Sequence, residues 1–76
     1  MFDLYIMESC PYCQKVLKYF DENGIAYHKF DTVNKDNLDR LLTLGGKDQV
    51  PFLHDEDNNV NMYESDDIIS YVSSRF

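Results

Sequence analysis

Residues 2–20 read FDLYIMESCPYCQKVLKYF, and this stretch decides the fold. Phe2 to Met7 is a predominantly apolar run of strand length, the pattern of a buried strand. Ser9 and Cys10 form a turn. Pro11 then stands at the first position of a helix, where its missing N–H is not needed. Cys13, Val16, Leu17 and Phe20 recur at helical spacing on one face. Asn23-Gly24 stops this helix. Ala26 to Phe30 alternates as a second strand. Strand, helix and strand within about thirty residues make a βαβ unit, so the two strands are expected to run parallel.

The rest of the chain completes the pattern. Asn34 to Leu44 reads as a helix with Leu38, Leu41 and Leu42 on its inner face, ended by Gly45-Gly46. Val50 to His54 is a short strand begun by Pro51. Asp55 to Asn59 has the polar composition of a hairpin turn, and Asn61 to Tyr63 returns as the partner strand. Ser65 is the N-cap candidate for a last helix through Ser74, with Ile68, Ile69, Tyr71 and Val72 as its apolar face. The order β-α-β-α-β-β-α predicts an α/β protein of thioredoxin-like fold: a four-stranded mixed sheet with helices on both faces. Residues 1–76 are expected to form one domain.

The chain has 76 residues and a formal net charge of −7. A chain this short has a thin core, to which its five Phe and six Tyr contribute large buried areas. The acidic surface repels phosphate backbones, which argues against nucleic-acid binding. No apolar stretch approaches a membrane span, and Met1-Phe2-Asp3-Leu4 lacks the features of a signal peptide. A cytoplasmic monomer is the expectation.

Cys10 and Cys13 are the two cysteines. A disulfide between them would close a tiny loop and constrain the unfolded chain little. Reactivity explains the pair better than stabilisation does. A strand feeding a helix through Cys-x-x-Cys puts the first cysteine at the helix N-terminus. Unpaired N–H groups and the helix dipole there favour a thiolate, the nucleophilic form. The second cysteine lies one turn in, close enough to attack a mixed disulfide.

Cys10-Pro11-Tyr12-Cys13 resembles the active-site tetrapeptide of the glutaredoxin family. Gln49-Val50-Pro51 is similar to that family's segment before a cis-proline, and Glu64-Ser65-Asp66-Asp67-Ile68 to the start of its glutathione-binding helix. The same elements resemble the N-terminal domain of glutathione transferases and of the transferase-like glutaredoxins. The resemblance spans essentially the whole chain. It implies glutathione-dependent reduction of protein disulfides and of glutathione mixed disulfides, with Cys10 attacking and Cys13 resolving. Glutathione is then a reducing co-substrate, with no permanently bound cofactor and no metal. Disulfide-containing or glutathionylated proteins are the implied partners.

Carried over residue by residue, Val50 pairs its backbone with the cysteinyl part of glutathione beside Pro51. Ser65 and Asp66, followed by Asp67, hold the γ-glutamyl end, and Tyr12 flanks the tripeptide. Gln49 and Arg40 are the candidates for its glycine carboxylate. The sequence departs from the family at Met7, where many members have lysine three residues before the first cysteine, and Glu8 follows it.

Other readings are weaker. A zinc site would need His28 and His54, which fall on expected strands without ligand spacing. An iron–sulfur carrier generally has a single cysteine followed by glycine. Reduction by a thioredoxin reductase would leave Val50 and Ser65-Asp66 without a purpose, and a non-catalytic module would not need the cysteine pair.

Overall fold

Residues 1–75 are described by a computed structural model. The elements are β1 (Phe2–Ile6), α1 (Pro11–Glu22), β2 (Tyr27–Asp31), α2 (Lys35–Gly45), β3 (Phe52–Asp55), β4 (Val60–Tyr63) and α3 (Ser65–Ser73). They form one sheet in the order β2-β1-β3-β4. β1 is parallel to β2 and antiparallel to β3, and β3 is antiparallel to β4. This is the expected thioredoxin-like fold, with the elements in the expected order.

The alternation of β1 sends its side chains to two cores. Leu4 and Ile6 join Val16, Leu17 and Phe20 of α1 and Ile68 and Val72 of α3 on one side. Tyr5 joins Leu41 of α2 and Phe52 on the other. Register lines Phe30, Tyr5, Phe52 and Tyr63 into one aromatic row across all four strands. Neighbouring centroids in this row are 5.0, 5.7 and 4.7 Å apart, within the range of favourable ring pairs.

Three local readings are corrected. Leu42 is exposed rather than on the inner face of α2; Leu38 and Leu41 lie there as expected, and Leu44 joins them. Leu38 and Leu44 each lie three residues from Leu41 and flank it, whereas Leu42 is rotated about 100° away from Leu41, beyond the edge of that face. Ser65 is the first residue of α3 and not its cap: Glu64 holds the cap position at φ 74° without a side-chain cap bond. β3 begins at Phe52, after the Val50-Pro51 segment rather than within it.

α3 is tied to the β3–β4 hairpin by a buried carboxylate. Asp55 accepts the Tyr71 hydroxyl at 2.7 Å and the Asn58 side-chain amide at 2.8 Å. Burial pushes its pKa up, but these donors and the Arg75 charge outweigh that and hold it below the ordinary carboxylate value. No helix among the described residues is long and apolar enough to cross a membrane.

Candidate active site

The site is built where β1 hands the chain to α1. Cys10 is the N-cap of α1, with extended backbone angles of −86° and 117°, and Pro11 opens the helix. The Cys10 N–H donates to the Met7 carbonyl at 3.1 Å, closing the turn that presents the cysteine. The Cys13 amide N–H donates to the Cys10 Sγ at 3.4 Å. The sulfur thus occupies the place that a capping oxygen takes in other helices, facing the unpaired amides of the first turn.

The two thiols differ in surroundings. Cys10 is half-buried and Cys13 fully buried. Burial pushes the Cys13 thiol up to about 12, partly offset by a backbone hydrogen bond from Met7 and reinforced by the Cys10 neighbour. Thiol reactivity follows the thiolate, so burial disfavours Cys13 as a nucleophile towards an external partner.

Beside the pair lies a groove of about 380 Å³ lined by Tyr12, Gln49, Val50, Pro51, Glu64, Ser65 and Asp66. The Val50–Pro51 bond is cis, as the resemblance implied. Glu64 and Gln49 are joined by a hydrogen bond of 3.0 Å from the Gln49 amide. Glu64 is a non-glycine residue at φ 74°, a conformation that costs energy and is held by its surroundings. α3 begins immediately after it, so the free amides of the first turn of α3 also face this end of the molecule. Asp66 is ion-paired with Lys15 of α1.

Five expected residues therefore converge: Tyr12, Val50, Pro51, Ser65 and Asp66, with Gln49 as a sixth. Arg40 does not join them. It lies on α2 with its guanidinium 5.1 Å from the Phe30 ring, lining a separate cavity with Asp3, Asp39 and His54. α2 packs on the face of the sheet opposite to α1 and α3, and Arg40 is carried there with it. Asp67 is in the first turn of α3 but outside the groove lining. Glu64 and Lys15 are part of the arrangement and were not singled out from the sequence as ligand contacts. The Glu64 contact follows from its adjacency to Ser65, whereas the sequence cue for Lys15 is only its place near the cysteines on an otherwise solvated helix face.

The sequence profile described as the glutathione S-transferase N-terminal domain matches residues 4–76. The chain belongs to this family. Within it, the chain is 36% identical over 69 residues to glutaredoxin 2 of Escherichia coli K12. That match covers 91% of this chain and 31% of the relative, so the chain spans about a third of the length of the curated relatives it matches. Glutaredoxin 2 of Salmonella typhimurium, solved in complex with glutathione, superposes with a TM-score of 0.78 at 29% identity, over 95% of this chain and 32% of that one. The thioredoxin-like protein BC3987 superposes over the full length of both chains with a TM-score of 0.82 at 19% identity, a likeness of fold.

Proposed function

We propose that this chain is a glutathione-dependent thiol–disulfide oxidoreductase of the glutaredoxin type. The observation that carries the reading is the Cys10 sulfur at the cap of α1, accepting the Cys13 amide, beside a groove closed by Val50-Pro51 and the start of α3. Glutathione binding by a relative of this family supports the choice of reductant. The reading includes a monomer working in the cytoplasm.

In the proposed cycle the Cys10 thiolate attacks the glutathionyl sulfur of a mixed disulfide. The protein thiolate leaves and takes up a proton, and a Cys10–glutathione disulfide remains. A second glutathione thiolate attacks the glutathionyl sulfur, releasing oxidised glutathione and restoring Cys10. With a protein disulfide, Cys10 forms the mixed disulfide and Cys13 attacks the Cys10 sulfur. The substrate leaves as a dithiol and a Cys10–Cys13 disulfide forms, which two glutathiones then reduce. Cys13 loses its proton as it attacks, a step that its burial opposes. Tyr12, which is 65% exposed, forms the outer wall against which the tripeptide lies.

The test is a coupled assay of mixed-disulfide reduction with glutathione and its reductase, set against the same assay with thioredoxin reductase. Turnover with glutathione alone is expected. Turnover supported only by thioredoxin reductase would overturn the proposal. Conjugation of glutathione to an aryl halide without disulfide reduction would point instead to a transferase, the activity for which the family is described.

A further inference from the structure

Resting on the glutathione reading above, we infer that Lys15 is a specificity-determining residue of the groove. With Asp66, it reads the zwitterionic amino-acid end of the γ-glutamyl group. The Lys15 ammonium donates to the Asp66 carboxylate at 2.5 Å, joining the helix that carries the nucleophile to the helix that begins at the groove. Asp66 lines the groove, together with the second carboxylate Glu64, and none of the lining residues is a cation. Met7 supplies none either. Through its pairing with Asp66, Lys15 brings a cation to this end of the groove.

The chemistry of the ligand matches that pair. An α-amino acid carries its ammonium and carboxylate on one carbon, within a few ångströms of each other. When the ammonium contacts Asp66, the carboxylate is left facing the free amides of α3 and the Lys15 ammonium. The ligand inserts into the protein's ion pair: Asp66 takes the ammonium, Lys15 takes the carboxylate, and no charge is left unpaired. The exchange is cheap because the protein pair is exposed, with side-chain accessibilities of 54% and 82%, and exposed ion pairs contribute little by themselves. A ligand lacking either charge leaves one protein charge without a partner, and this is the source of discrimination.

The experiment measures binding by calorimetry, using S-methylglutathione so that no disulfide forms. Two analogues are compared with it: one without the α-carboxylate (4-aminobutyryl in place of γ-glutamyl) and one without the α-amino group (glutaryl). In the wild type, each deletion is expected to weaken binding by about fivefold, the scale of one exposed charge contact. In Lys15→Met the carboxylate deletion is expected to cost clearly less than in the wild type, since only the α3 amides then hold that group, while the amino deletion keeps its cost. Asp66→Asn is expected to show the reverse pattern, and Lys15→Arg to behave as the wild type. If the carboxylate deletion costs the same in wild type and Lys15→Met, the assignment of Lys15 is overturned and the glutathione reading stands. If the wild type does not bind S-methylglutathione, that reading falls and the inference falls with it.

Discussion

Replacing Gly45 with alanine sets a local gain against a tertiary cost. In a helix interior alanine is favoured over glycine by up to about 1 kcal/mol, so helix propensity alone predicts stabilisation. Gly45, however, is the last residue of α2 and lies against the aromatic row. A Cβ built there falls on the Tyr63 hydroxyl, and lies 2.8 Å from the Tyr63 ring and 2.9 Å from the Phe52 ring. Tyr63 cannot swing aside freely, because its hydroxyl accepts from the Lys47 N–H at 3.1 Å and donates to the Lys47 carbonyl at 2.9 Å. Phe52 is fully buried. Overpacking costs about 1–3 kcal/mol and each lost hydrogen bond roughly 1 kcal/mol, which together exceed the propensity gain.

The expected net loss for Gly45→Ala is about 2 kcal/mol, a fall in Tm of roughly 8–16 °C for a domain of this size. Circular dichroism melts and urea titrations read it directly. The cost is expected to shrink in a Tyr63→Phe background, where the nearest obstructing atom is gone. Because Phe52 follows Pro51 and Tyr63 precedes Glu64, the same variant is expected to weaken S-methylglutathione binding. A Gly45→Ala protein as stable as the wild type would refute the packing argument. An equal cost in both backgrounds would show that Tyr63 is not the obstacle.

Cys10→Ser is expected to abolish reduction of glutathione mixed disulfides, whereas Cys13→Ser retains it and loses reduction of protein disulfides; a steady-state assay with each substrate would show a reversed assignment at once. With the Cys13 thiol pushed up to about 12, iodoacetamide at pH 8 is expected to label Cys10 and spare Cys13 in the reduced protein, which peptide mass spectrometry reads; equal labelling would contradict the burial of Cys13. Tyr71→Phe is expected to cost about 1.5 kcal/mol at pH 7, the scale of a hydrogen bond to a charged acceptor. Asp55 has a depressed pKa in the folded state, so this contribution is present above the unfolded carboxylate value of about 3.9 and is lost as pH falls through the lower folded value. Urea midpoints of both proteins between pH 7 and pH 2 are expected to converge, and a gap that widened on acidification would refute the role of Asp55. Met7→Lys is expected to tighten S-methylglutathione binding severalfold at low salt, an effect that added salt removes; no change at low salt would place residue 7 too far from the ligand's carboxylates.

Much of the architecture lies in local patterns that do not depend on the rest of the chain. The apolar run of β1, the proline that opens α1, the glycine at φ 83° that caps α2 and the polar hairpin turn each act over a few residues, and a linear reading finds them. The cysteine pair belongs to this class, because a helix N-terminus beside Cys10 is a property of neighbouring residues. Ser65 reads as a cap for the same reason: serine before an apolar helix is a local signal, but the chain turns one residue earlier, at Glu64, whose φ is positive. Leu42 shows the limit of periodicity, which gives a face but not its width.

What only the tertiary structure decided are relations between distant segments. Strand register, and no local preference, brings Phe30, Tyr5, Phe52 and Tyr63 into one row. The side of the sheet on which α2 lies separates Arg40 from the cysteines, although its charge suited the role expected of it. Lys15 and Asp66 are 51 positions apart, and from the sequence Lys15 reads as a solvated helix charge. Only the packing of α1 beside α3 makes them a pair at the mouth of the groove, because an ion pair depends on distance in space, which the order of residues does not encode.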